Sequence, residues 1–180
     1  MIYIGLLRGI NVGGRRSLKM ASLRDIVEAS GGESVATYIQ SGNVVFSHPD
    51  RSAARLEAEL ERRLERASGM IVPVVLRTMP QWESIIAGNP FPHAGPKYLH
   101  VLFLKQRVSA RAFAGLDLKA LLPEELAVRD RHMYLHLPNG MGRARLPLVL
   151  ERQGPKDAVG TARNWATVCA LRELAKRLPG

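Results

Sequence analysis

The spacing of apolar residues changes several times along the chain, and each change marks an element. Ile2 to Leu7 is apolar almost throughout, the pattern of a strand flanked by neighbours on both sides. Met20, Leu23, Ile26 and Val27 recur at helical spacing, and Gly31-Gly32 supply a stop. Ser34 to Gln40 alternates, with Val35, Thr37 and Ile39 against Ala36 and Tyr38. Ser41-Gly42-Asn43 then turns the chain and Val44 to Ser47 returns as a strand. Asp50 or Ser52 caps a long helix with Ala53, Leu56, Leu60, Leu64 and Ala67 on its apolar stripe. Glu59 and Arg63 pair on its polar side, and Ser68-Gly69 ends it. Ile71 to Arg77 is a fourth strand, and Pro73 assigns it to a sheet edge, because proline has no N–H to give a ladder.

This order, βαββαβ, is the ferredoxin-like motif, with the first and third strands central. Right-handed crossovers make the first and second strands parallel. The loop leaving the first and the turn leaving the second therefore emerge at the same end. A short helix from Pro80 to Gly88 buries Trp82, Ile85 and Ile86, and the proline-rich stretch 89–97 reads as a linker. Tyr98 to Leu104 opens a second half. Helices are expected over Ser109–Gly115 and Leu116–Leu122, then a hairpin of Leu126–Arg129 and Met133–Leu137 over Asp130-Arg131-His132. A short helix over Leu146–Gln153 follows, and a final helix capped by Thr161 runs to about Leu178. The expected class is α+β, two ferredoxin-like halves spanning residues 1–88 and 98–180, with antiparallel sheets covered by helices.

Composition changes this picture little. The 180 residues include 26 Lys and Arg against 16 Asp and Glu, a net charge of +10. That charge fits attraction to phosphates in a small ligand or a nucleic acid, and equally an arginine-rich chain whose basic residues solvate its helices. The single cysteine, Cys169, allows no internal disulfide and suggests a reducing compartment. The short apolar N-terminus lacks a basic lead, and no apolar run reaches the length of a membrane span, so a cytoplasmic protein without a membrane partner is expected.

Candidate chemistry gathers at the shared edge. Arg8, Gly9, Asn11, Gly13, Gly14, Arg15 and Arg16 leave the first strand and feed a helix. The spacing matches neither a Walker loop nor a dinucleotide fingerprint. What remains is generic: glycines allow close backbone approach, N–H groups point at the helix start, and arginines add charge. Gln40, Ser41, Gly42 and Asn43 offer amides beside that loop, although the same residues make an ordinary hairpin turn. Arg143 lies in a second glycine- and arginine-containing loop, Asn139 to Arg145. Arg163 and Asn164 fall in the first turn of the expected last helix, where a cation opposes the helix dipole and calls for a compensating anion, a ligand or a carboxylate. The five histidines share no metal spacing, no cofactor motif occurs, and no nucleophile–base arrangement can be defended. Central-strand aromatics are limited to Tyr3 and Phe46, which weakens an RNA-binding reading.

The motifs LLRGINVGG, YIQSGNVVF, GMGRARL and TARNWATV, in this order, resemble domain of unknown function family 1697 over nearly the whole chain. The resemblance implies a cytoplasmic α+β protein of two ferredoxin-like halves. It also implies that Arg8, Gly9, Asn11, Gly13, Gly14, Gln40, Ser41, Gly42, Asn43, Arg163, Asn164 and Trp165 occupy signature positions. Ala144 and Ala166 depart from the serine and asparagine usual there. The family has no established activity. The function expected is therefore a binding protein or enzyme for a small phosphate-bearing ligand at the shared edge. The alternatives are a nucleic-acid-binding protein using its positive charge, or a non-enzymatic interaction or structural protein.

Overall fold

The computed structural model describes residues 1–11, 17–155 and 158–179. The chain forms two compact units, one of Met1–Ala87 with the segment from Cys169 onward, the other of Gly88–Val168. Each contains a four-stranded antiparallel sheet. No helix among the described residues is long and apolar enough to cross a membrane.

The first unit runs β1 (Ile2–Leu7), α1 (Met20–Ala29), β2 (Glu33–Tyr38), β3 (Asn43–Ser47), α2 (Ala53–Ser68), β4 (Val74–Thr78) and α3 (Met79–Ala87), with strand order β2-β3-β1-β4. This is the order expected of the βαββαβ motif. One face of the sheet packs Tyr3, Leu7, Val44, Phe46, Val74 and Leu76 against Leu23 and Val27 of α1 and Leu56, Leu60 and Leu64 of α2. On the other face Ile4, Leu6, Val45 and Val75 are buried as well, which explains the uninterrupted apolar run of β1. Ser52 caps α2 by accepting from the Arg55 N–H, and Gly69, at φ 68°, closes it in the left-handed region. Glu59 pairs with both Arg62 and Arg63 on the exposed side of α2.

Pro73 precedes β4 rather than lying within it, and its carbonyl accepts from the Arg8 N–H. The edge position of this strand is as expected. Among the described residues no strand pairs with its outer side. There the Glu57 carboxylate, 3% exposed, accepts from the Leu76 N–H at 2.7 Å, and Glu61, one turn along α2, accepts from the Val74 N–H at 2.7 Å. Two acids at i and i+4 on one helix thus meet alternate residues of one strand.

The second unit runs β5 (Leu99–Leu104), β6 (Glu125–Arg129), β7 (His132–His136), α4 (Leu146–Gln153), β8 (Gly160–Asn164) and the start of α5 (Trp165–Lys176), with strand order β6-β7-β5-β8. Phe113, Leu121, Met133, Leu135, Leu137 and Leu146 fill its helix-side core. The rest of α5 belongs to the first unit, where Arg172 and Lys176 reach Glu83 of α3 at 2.8 and 3.7 Å.

Two expectations fail here. The stretch 109–122 forms no α-helices, only 3₁₀ turns at Ala110–Phe113 and Lys119–Leu121, closed by bonds such as Leu116 N–H to the Phe113 carbonyl. Gly115 and the short apolar spacing favour these tighter turns. Thr161 starts no helix either: Gly160–Asn164 is an edge strand paired with β5, and α5 begins at Trp165. A short edge strand that buries only Thr161 and Arg163 shows no apolar alternation to read.

Replacing Glu57 by alanine removes the acceptor of a buried backbone N–H and is expected to lower stability by about 1–3 kcal/mol. Urea denaturation of Glu57→Ala reads this directly.

Candidate functional site

The end of the first sheet where β1 and β2 finish is fastened by short bonds. The Leu7 N–H donates to the Gly42 carbonyl at 2.8 Å. Asn11, in the left-handed region at φ 55°, bridges three segments. Its side-chain amide donates to the carbonyls of Leu18 and Gln40 at 2.9 and 2.6 Å, and its side-chain oxygen accepts from the Leu18 N–H at 2.8 Å. The loop and the turn are thus neighbours, as the topology requires. Val12 to Arg16, including the candidates Gly13, Gly14 and Arg15, lie outside the described residues.

The turn is held from within. Asn43 is fully buried and donates to the Tyr38 carbonyl and to Ser41 Oγ at 3.0 and 2.8 Å. Gly42 has φ 74°, and a Cβ there would stand 2.7 Å from Leu7 and Ile10 side-chain atoms. Asn43 and Gly42 thus hold the turn. Arg8, Gly9 and Gln40 are exposed. So is Ile39, at 53% exposure and φ 50°. A β-branched residue in the left-handed region is strained, and such strain gathers at functional sites. Beside this edge Lys19, the residue before α1, gives no side-chain cap, and the first turn of α1 carries no acid.

The remaining candidates lie in the second unit. Arg143 is exposed on a 3₁₀ turn, Met141–Arg143. The adjoining Arg145 is fixed by its backbone: buried Glu124 accepts from the N–H groups of Arg145 and Leu146, so a carboxylate caps the start of α4. Arg163 sits in β8, not in a helical first turn, so the dipole argument for a compensating anion does not apply. Its guanidinium, 8% exposed, donates to Thr161 Oγ1 at 2.7 Å and the Ala162 carbonyl at 2.8 Å, and burial pulls its pKa down to about 10. Asn164 accepts from the Thr167 N–H at 2.9 Å and so caps α5.

A family model described as "Protein of unknown function (DUF1697)" matches residues 1–134. The chain belongs to this family. No curated protein sequence matched it. Among solved structures it is similar to "conserved bacterial protein SP0830 from Streptococcus pneumoniae", at 25% identity and a TM-score of 0.75, over 97% of this chain and 98% of that one. Of the residues singled out in the sequence, Asn11, Asn43 and Asn164 tie backbone together, whereas Arg8, Gly9 and Gln40 are exposed.

The histidines give an arrangement that sequence spacing did not show. Glu125 and His136 stand directly opposite on β6 and β7, with His136 Nδ1 2.8 Å from Glu125 Oε1. His93, from the segment before β5, brings a ring nitrogen to them, and one donor atom from each of the three lies within 4.8 Å of the others. The signal was available in the hairpin register. A turn of two residues, Asp130-Arg131, pairs Glu125 with His136, whereas the three-residue turn expected above slips the pairing by one. His100 does not join them. It pairs with Leu135 and so faces the other side of the sheet from His136, which pairs with Leu99. His100 Nδ1 is buried without a hydrogen-bond partner among the described residues, and burial lowers the pKa of the ring, partly offset by a bond to the Tyr98 backbone.

Two outcomes are expected. Ile39→Asn, which tolerates the left-handed region, raises stability by about 1 kcal/mol in urea denaturation. For His100, the native state holds the neutral ring more strongly than the unfolded chain does. Its share of stability is therefore complete above the ordinary pKa of 6.5 and is lost as pH falls through and below it. His100→Gln flattens the fall in stability measured between about pH 7 and pH 5.

Proposed function

We propose that this chain binds a small phosphate-bearing anion at the end of the first sheet, where the Arg8–Arg16 loop meets the Ser41–Asn43 turn, as a binding protein or an enzyme. The observation that carries this reading is the Asn11 clamp. Its bonds to Leu18 and Gln40 fix the chain on either side of residues 12–16, whose sequence supplies Gly13, Gly14, Arg15 and Arg16. Beside the clamp are exposed Arg8, exposed Lys19 and a helix start without an acid or a side-chain cap, a setting that favours negative charge. Strained, exposed Ile39 adds a feature that the fold itself does not need. Arg143, Arg163 and Asn164 are not part of this proposed ligand shell: all three belong to the second unit, where Arg163 bonds Thr161 Oγ1 and the Ala162 carbonyl and Asn164 caps α5.

A thermal-shift screen against nucleotides, phosphosugars, polyphosphate, short DNA and short RNA tests the reading. A small phosphate compound at 100 times its dissociation constant stabilises by about 2.7 kcal/mol. The variant combining Arg8→Ala, Arg15→Ala and Arg16→Ala is expected to lose that shift while the free protein melts as before. Shifts with every polyanion that fade with added salt would favour the nucleic-acid alternative or plain charge. No shift with any compound would leave the signature loops a structural role.

A further inference from the structure

We infer that His93, Glu125 and His136 form a binding site for a divalent transition-metal ion of the zinc class. The donor set is two imidazoles and one carboxylate. Such a nitrogen-rich set suits Zn²⁺, Co²⁺, Ni²⁺ or Cu²⁺ and is poorly matched to Mg²⁺ or Ca²⁺, which take oxygen ligands.

The scaffold behind the donors is well defined. Glu125 and His136 project from directly opposed positions of an antiparallel pair, the closest approach that two strands give their side chains. His93 comes from a segment closed by local bonds: the Phe91 N–H to the Asn89 side-chain Oδ1 at 2.9 Å, the Ala94 N–H to the Phe91 carbonyl at 3.0 Å, and the Leu99 N–H to the Gly95 carbonyl at 3.2 Å. Phe91, itself buried, lies against the His136 ring at 5.7 Å between centroids and gives the cluster an apolar wall. The His93 ring meets the His136 ring edge-on at 5.5 Å and is exposed. One side of the cluster is thus walled and the other open to water, as in zinc sites that keep a coordination position free.

An ion pair between Glu125 and His136 explains their 2.8 Å contact, but not a third donor within reach of both. In that contact a proton lies between nitrogen and oxygen, and a metal ion takes the place of that proton. Tetrahedral ligands at about 2.0–2.1 Å from zinc stand about 3.3 Å apart. The strand pair must therefore open slightly, and His93 must close in from the 4.8 Å limit by side-chain rotation on an exposed segment.

The test uses the full chain, without an affinity tag and stripped with chelator. It is titrated with ZnCl₂ by calorimetry and with Co²⁺ by visible absorption. The expected result is one ion per chain, with the Co²⁺ spectrum of a site bearing nitrogen ligands. His93→Ala, Glu125→Gln and His136→Asn are each expected to weaken binding by at least about tenfold, the loss that even outer partners of a metal ligand produce. His93→Ala changes only an exposed side chain, so its melting curve serves as the control for folding, and it carries the test if a strand variant fails to fold. Absence of any bound ion overturns the inference. So does binding that His93→Ala and Glu125→Gln leave unchanged, since the ion then sits elsewhere.

Discussion

Backbone N–H groups left over where ladders and helices end must be satisfied inside the protein. This chain meets that demand with side-chain oxygens rather than with more chain. Glu57 and Glu61 serve the outer side of β4. Glu124 serves the start of α4 and Asn164 the start of α5. Asn11 does the same for a loop, taking the Leu18 N–H on its oxygen and giving its amide to two carbonyls. Each is a polar residue at a point where the regular structure runs out, and each would leave an orphaned backbone group if removed.

This division of labour changes the meaning of the family's signature. A stretch rich in asparagine, glycine and arginine invites a ligand-binding reading. Here the asparagines are spent on the backbone, and Gly42 is set by its contact with Leu7 and Ile10. What remains exposed beside them is Arg8, Gln40 and strained Ile39, on which the proposed anion site draws. The second sheet brings Glu125 and His136 together differently, through register rather than through a motif.

The first half was legible because its periodicities were strong. The continuous run of β1, the stripe of α2 and the proline before β4 each carried one physical message, and together they specify the strand order. The second half was less so. Strand β8 buries a threonine and an arginine, so its pattern reads as polar chain leading into a helix. Phe113, Leu116 and Leu121 suggest helical spacing, yet they pack from 3₁₀ turns. The Glu125–His136 pairing was hidden by one residue in the length of a turn, because a slip of one residue changes every cross-strand partner, and His93 comes from a segment whose path no periodicity marks.

The carboxylates beneath β4 carry a consequence beyond the monomer. An open strand edge is a template for another chain, since its unpaired N–H groups accept an incoming strand as readily as a native one. On β4 those groups at Val74 and Leu76 are already taken by two acids of the same helix, so an intruding strand would have to displace acceptors already in place. At the opposite edge β2 is broken by a register shift between Glu33 and Ala36, with Ser34 at φ 52°, which bends the strand away from straight pairing. The two N–H groups at the β4 margin are thus guarded by α2 and the β2 margin is interrupted by its own register shift, so the protection of this sheet's edges lies in a helix as much as in the strands.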